Sequence, residues 1–154
     1  MVLRPLTTAD ADGAAELIRT AFAAQCRPTD PPSSALLETG QAIAAKIAAG
    51  GGFGVFEGRP LIAAALWRID GDVLHVARVS VVPRARGRGI VRSLIAACEA
   101  EARRLGVTRM RLKTRLELPE NERLFEGCGF VRREVEAHAG FGTPTIAVME
   151  KVLR

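Results

Sequence analysis

The residues that invite a chemical reading lie between Val81 and Val91, in the run Val-Val-Pro-Arg-Ala-Arg-Gly-Arg-Gly-Ile-Val. A strand-like segment stops at Pro83, the loop carries Gly87 and Gly89, and an amphipathic helical pattern begins at once. Amide N–H groups in the first turn of a helix have no intrahelical acceptor and sit at the positive end of the helix dipole. Such a junction is an anion cradle, and glycine lets the backbone approach the anion closely. Arg84, Arg86, Arg88 and Arg92 crowd the same stretch, which contains no acid. The spacing matches neither G-x-x-x-x-G-K-[ST] nor G-x-G-x-x-G, so nucleoside triphosphates and dinucleotides lose support.

The elements that must position this loop can be read from pattern. The chain has 154 residues, 48% hydrophobic and 25% charged, which suits one domain (residues 1–154) with a real core and excludes a disordered linker. Residues 2–6 form a short strand; Thr7, Thr8 and Asp10 offer N-caps for a helix to about Gln25, with Leu17, Ile18, Ala21 and Phe22 on its apolar face. Pro28, Pro31 and Pro32 break the chain before a second helix opened by Ser33 or Ser34, whose stripe is Leu36, Leu37, Ile43 and Ile47. Strands follow at Phe53–Glu57, Pro60–Ile69 and Val73–Val82, joined by the turn signals Gly58-Arg59 and Asp70-Gly71-Asp72. A helix spans Gly89–Leu105, with Gly106 as its C-cap, and then come a strand at Val107–Thr114, a short helix at Asn121–Gly127 and strands near 129–136 and 143–153. The order β-α-α-β-β-β-α-β-α-β-β places the fold in the α/β (α+β) class, a mixed sheet with helices on both faces.

In its motifs the sequence resembles the GNAT superfamily of N-acetyltransferases. The family signature is a strand ending V-x-P followed by R-x-x-G-x-G/A opening a helix. Here Val81-x-Pro83 precedes Arg86-Gly87-Arg88-Gly89-Ile90-Val91, with Val91 in place of the usual Gly or Ala. Leu3-Arg4-Pro5 with Asp10, the block Asn121, Leu124-Phe125-Glu126, Gly129-Phe130, and Met149-x-Lys151-x-Leu153 extend the likeness over nearly the whole chain. The resemblance implies a largely antiparallel central sheet and acetyl-CoA, or a related acyl-CoA, as co-substrate, with no metal. The coenzyme's pyrophosphate would lie on the amides of Gly87, Arg88, Gly89, Ile90 and Val91. Its pantetheine arm would pair with the strand at Val81 and Val82, and Asn121 and Phe125 would border it. Arg84 and Arg88 are candidates for its phosphates, Arg86 for folding the loop, and Arg92 for either the ligand or solvent.

Acyl transfer to an amine needs a base, since a free alkylammonium titrates near 10, about the lysine value; it also needs a donor for the developing oxyanion. Many members of the superfamily carry a glutamate six residues before the position of Val81, and here that residue is His75. Histidine is a suitable base near neutral pH, and simple alternation puts His75 on one strand face with Ala77, Val79 and Val81 unless a bulge intervenes. Glu57, Asp72 and a bound water are rival bases, and a satisfied strand histidine is the plain alternative. The amide of Val81 is the candidate oxyanion donor. The family's tyrosine acid is replaced by Phe125, and the chain has no tyrosine; water, Ser80, Cys128 or His138 would protonate the thiolate, with Cys128 equally suited to a buried apolar site.

The reading is therefore an acetyl-CoA-dependent N-acetyltransferase acting on a small-molecule or peptide amine. Its alternative is a non-catalytic CoA or acyl-CoA sensor on the same fold. The 22 basic against 17 acidic residues, nearly all of the former arginine, suggest anionic partners. Arg103 to Arg115 is a second run without carboxylates, a solvated face or a wall that attracts an acceptor bearing carboxylate or phosphate. Nucleic acid lacks its aromatic platforms here. Cys26, Cys98 and Cys128 suit neither disulfides nor zinc. A reducing cytoplasm is expected, with no export signal or membrane span, as a monomer or homodimer. Trp67 is assigned to core or cleft lining, and residues 25–35 and 137–144 to acceptor selection.

Overall fold

The computed structural model describes all 154 residues. The chain runs β1 (Val2–Pro5), α1 (Ala11–Ala23), α2 (Gly40–Ala49), β2 (Gly51–Phe56), β3 (Leu61–Asp70), β4 (Val73–Val81), α3 (Ile90–Arg104), β5 (Arg109–Arg115), α4 (Pro119–Glu126), β6 (Val131–Glu136) and β7 (Ile146–Val152). The seven strands form one sheet in the order β1-β2-β3-β4-β5-β7-β6. Every pairing is antiparallel except β4 with β5. This is the order of elements that the sequence pattern implies.

β3 sits mid-sheet and is apolar on both faces, as a doubly covered strand must be. Ala63 and Ala65 join the core beneath α3, with Leu94, Ile95 and Cys98, and Phe125 and Phe130 extend that core. Ala64 and Leu66 join the core under α1 and α2, with Leu17, Ile18, Ile43 and Ile47. β1 is tied to α1 by Arg4, whose two guanidinium nitrogens each lie 3.0 Å from an oxygen of Asp10. This fork, with the Thr7 amide, holds the Asp10 carboxyl down at about 2.

The second helix departs from expectation. Ser33 does cap a turn, accepting from the Ala35 amide, but only a single 3₁₀ turn (Ser34–Leu37) follows. Glu38 is extended, and the true N-cap is Thr39, whose hydroxyl accepts from Ala42. Leu36 and Leu37 therefore fall outside the buried stripe, Leu37 being 80% exposed. A Cβ on Gly40 would lie 1.7 Å from the Asp12 carboxylate, so glycine lets α2 begin directly against α1.

The β3–β4 ladder pairs Ala64 with Ser80 but Leu66 with Ala77. The extra residue is Arg78, the one non-glycine at positive φ (55°). Its guanidinium reaches Glu38 (Nε–Oε2 2.8 Å) and the Ser34 hydroxyl (3.0 Å), and Glu38, 5% exposed, also takes an ion pair from Lys46. A bulge of this kind bends the strand and increases its twist. It also inverts the side-chain alternation. Leu74, Val76 and Val81 all pack in the α3-side core, so His75 points to the opposite, α1–α2 side, and the shared face expected for His75 and Val81 does not exist.

Candidate active site

β4 and β5 are hydrogen-bonded as parallel partners only where Val73–His75 meet Arg109–Arg111. Past that vertex the bulged β4 and β5 part, and a cleft of about 1060 Å³ opens between them. Its walls are β4 from His75 to Val81 and β5 from Arg111 to Arg115, with the start of α3, α4 and the end of α1 around the mouth.

The wall formed by β4 carries unpaired donors. The Val82 amide donates to the Ile62 carbonyl at 2.9 Å, which makes Ile62 and Val82 a hydrogen-bonded pair across the β3–β4 ladder. N–H groups alternate sides along such a ladder, so the amides of Val81 and Val79 point away from β3, toward the cleft. Val82 is thereby removed from the set expected to pair with a pantetheine arm: its amide belongs to β3, and it does not line the cleft.

At the cleft mouth the chain makes a 3₁₀ turn over Pro83–Ala85 and enters α3 through Gly87 (φ 79°) and Gly89 (φ 75°). Both glycines are in the left-handed region, where any other residue is strained. The first amide to find an acceptor after Arg86 is Ser93, which donates to Gly89 at 3.2 Å. The amides of Gly87, Arg88, Gly89, Ile90, Val91 and Arg92 consequently have no acceptor in the protein. Six consecutive donors at a helix start fit a diphosphate.

A family model of acetyltransferases, the Acetyltransferase (GNAT) family, matches residues 15–130. The chain belongs to the GNAT acetyltransferase family. Among solved structures, the ribosomal-protein-S18-alanine N-acetyltransferase of Escherichia coli superposes with a TM-score of 0.79 at 17% identity, over 99% of this chain and 93% of that one. The PaiA N-acetyltransferase of Thermoplasma acidophilum, solved in complex with coenzyme A, gives 0.77 at 18% identity over 99% of both chains. YncA of Salmonella typhimurium, solved with its cofactor acetyl-CoA, gives 0.76 at 20% identity, over 100% of this chain and 94% of that one. No curated protein matches by sequence.

In this acetyltransferase the arginines of the loop and of the first turn of α3 are engaged by the protein itself, while Arg86 and Arg92 also border the cleft. Arg86 donates to the carbonyls of Ala21 and Ala24 (both 3.2 Å), at the C-terminal end of α1. Arg84 and Arg88 lie outside the cleft and share Glu57, at 3.3 and 2.9 Å. Arg92 is exposed to solvent, as one expectation had it, and it also donates to Gly127 O at 2.7 Å, tying α3 to the end of α4. Val91 keeps a free amide, and its side chain borders the cleft.

Of the expected bases, only His75 lines the cleft. Glu57 is committed to the two arginines, and Asp72, at the β3–β4 turn, accepts from both the amide and the hydroxyl of Thr108. Burial lowers the His75 pKa, and the charges of Arg68, Arg111 and Lys113 lower it further against Asp70, so the ring is neutral at pH 7. Among the expected acids, Cys128 is buried beside the α4 terminus and outside the cleft, its thiol pushed up by burial. Ser80 and His138 line the cleft; Ser80 donates to Arg78 O at 2.9 Å and His138 Nδ1 lies 2.5 Å from the Thr145 hydroxyl. Asn121 and Phe125 also line it, the latter edge-on to Phe130 with ring centroids 6.3 Å apart. Trp67 lies elsewhere, packed against the backbone of Gly51.

Sequence reasoning missed a polar strap across the mouth. Arg27 donates to Glu117 O at 2.8 Å and pairs with Glu120 at 3.1 Å, the Asp30 amide donates to Glu117 at 2.9 Å, and Cys26 Sγ is 2.6 Å from Glu120. Arg115 reaches the Pro31 carbonyl from below. The chain after α1 is thereby stitched to the start of α4, a contact between residues about ninety apart that no local pattern announces.

Proposed function

We propose that this acetyltransferase moves an acetyl group from acetyl-CoA to a primary amine by direct attack within a ternary complex. The observation that carries the reading is the row of open amides from Gly87 to Arg92 at the mouth of a cleft whose β4 wall presents two further free amides. The loop amides would hold the diphosphate. Arg84 and Arg88 would exchange Glu57 for the ribose phosphate. The amides of Val81 and Val79 are the donors available to the pantetheine arm and to the carbonyl oxygen as it gains charge, with Asn121 and Phe125 on the facing wall.

His75 takes the amine proton. Four residues of strand separate it from Val79 and six from Val81, roughly 13 and 20 Å at about 3.3 Å per residue before the bulge is allowed for, so the proton passes through water rather than by direct contact. A neutral imidazole at pH 7 can accept it. With Phe125 where the family's tyrosine stands, no phenol protonates the sulfur; a thiol with a pKa of about 8.5 leaves tolerably as its anion and takes a proton from water.

That phenylalanine also favours the second reading, a module that binds acyl-CoA without turning it over. Calorimetry with coenzyme A and acetyl-CoA, alongside thiol release from acetyl-CoA across a panel of amines, separates the two. Transfer predicts binding together with thiol release that drops in His75→Ala. Binding without release on any amine establishes the sensor, and absence of binding defeats both.

A further inference from the structure

We infer that the acceptor amine carries an anionic group, a carboxylate or a phosphate, which Arg68 binds beside His75. The inference rests on the proposed transfer to an amine and names the class of acceptor.

The acceptor side of the cleft is set by register. Arg68 on β3 is paired across the ladder with His75 on β4, and His75 with Arg111 on β5, so the three side chains stand in one row on the α1–α2 side of the sheet. All three line the cleft. The cations along this side are paired, with one exception. Arg78 has Glu38 at 2.8 Å, Arg111 has Glu150 at 2.6 Å, Lys113 has Glu136 at 2.9 Å and Arg115 has Glu117 at 3.3 Å. Arg68 makes neither an ion pair nor a hydrogen bond, although Asp70 lies two residues further along its strand. Glu134 is the unpaired acid of the lining, but it stands on β6, three strands from β4 with β5 and β7 between, roughly 14 Å away at about 4.8 Å per strand.

An acceptor that reaches from the thioester along β4 toward His75 therefore meets an uncommitted guanidinium one strand away; Asp70 is the free carboxylate beside that row, and it is outnumbered there by Arg68, Arg111 and Lys113. An anion on the acceptor completes Arg68 by a charge-assisted contact. The same surroundings penalise a polycation and help a bound ammonium lose its proton, because nearby positive charge disfavours the protonated form.

The test uses the full chain and acetyl-CoA, with thiol release as readout and rates corrected for the fraction of free amine. Matched amines isolate the anion: ethanolamine against O-phosphoethanolamine, butylamine against 4-aminobutyrate, and spermidine as polycation. The two pairs separate phosphate from carboxylate. The expected result is a kcat/KM about ten- to a hundredfold higher for the anionic member of at least one pair, the range of one charge-assisted hydrogen bond. The advantage shrinks to within about threefold in Arg68→Ala and is largely retained in Arg68→Lys, while the KM for acetyl-CoA stays unchanged. Arg68 is exposed, so neither substitution threatens the fold. Equal or faster turnover of butylamine, ethanolamine or spermidine overturns the inference, as does an anion preference that survives Arg68→Ala. If acetyl-CoA binds and no amine releases thiol, it is the transfer reading that has failed, and the inference falls with it.

Discussion

Gly89→Ala is the sharpest perturbation of the anion cradle. Gly89 is the N-cap of α3 at φ 75°, and a Cβ built there meets nothing within 4 Å. Sterics are therefore absent, and the penalty is the left-handed backbone alone, about 1 kcal/mol for alanine relative to glycine. At this chain length that lowers Tm by about 2–4 °C. The effect on ligand should be larger. Relaxing φ at residue 89 turns the amides of Gly89 to Arg92 away from a common point, and losing one amide-to-phosphate bond weakens binding about tenfold or more. Gly71→Ala supplies the control: its φ is 59°, its Cβ is equally unobstructed, and it lies at the β3–β4 turn away from the cleft. Titration calorimetry with acetyl-CoA should show a tenfold or greater loss in Gly89→Ala and none in Gly71→Ala, at similar Tm. Equal affinities in the two variants would falsify the assignment of the diphosphate to this helix start.

Val91→Ala shortens a side chain that borders the cleft beside the cradle and improves helix propensity; acetyl-CoA should bind about two- to fivefold tighter, and weaker binding would show that the valine makes a contact of its own. Glu57→Gln releases Arg84 and Arg88. Coenzyme A should then bind about two- to fivefold tighter while dephospho-coenzyme A is unaffected, and an identical change for both ligands removes the ribose phosphate from these arginines. For His75 the sign is fixed by the lowered pKa, since burial and neighbouring cations disfavour the imidazolium. The neutral base persists to a pH below the ordinary histidine value of about 6.5, so the acid limb of kcat/KM should have its midpoint beneath that value. His75→Gln should lower the plateau and abolish the limb, and a limb that persists unchanged would assign it to another group.

The order of elements was legible because each is announced locally: Gly-Asp and Gly-Arg turns between short apolar strands, a four-residue apolar spacing through Ile90, Leu94 and Cys98, and proline at Pro83. The loop at Gly87 and Gly89 was legible for the same reason, since positive φ at both positions requires glycine. What could not be read was decided by partners distant in sequence. Arg84, Arg88 and Arg92 form an acid-free run in one dimension, yet their carboxylate and carbonyl partners come from Glu57 and Gly127. The Arg111 and Lys113 face of β5 is likewise neutralised by Glu150 and Glu136 from strands that pair with it later. The start of α2 was misplaced because Ser33 and Thr39 both cap, and only the packing of Gly40 on Asp12 shows which one opens the longer helix.

The bulge at Arg78 shows how a backbone irregularity without a turn signal organises the site. An arginine at positive φ is unfavourable by about 1–2 kcal/mol, and nothing in the run Val76-Ala77-Arg78-Val79 favours it. The compensation lies at Glu38, forty residues away, whose buried carboxylate would be left with Lys46 alone if the guanidinium withdrew. Holding that extra residue does two things at once. It bends β4 away from β5, so that their pairing ends at His75 and the Val79 and Val81 amides have no strand to bind. It also rotates the strand by one face, placing His75 on the side of Arg68 and Arg111 while Val81 packs beneath α3. Open backbone amides in the plane of the sheet and the His75 side chain on its α1–α2 face thus border one cleft because a single residue is inserted between them, and the ion pair with Glu38 keeps it there.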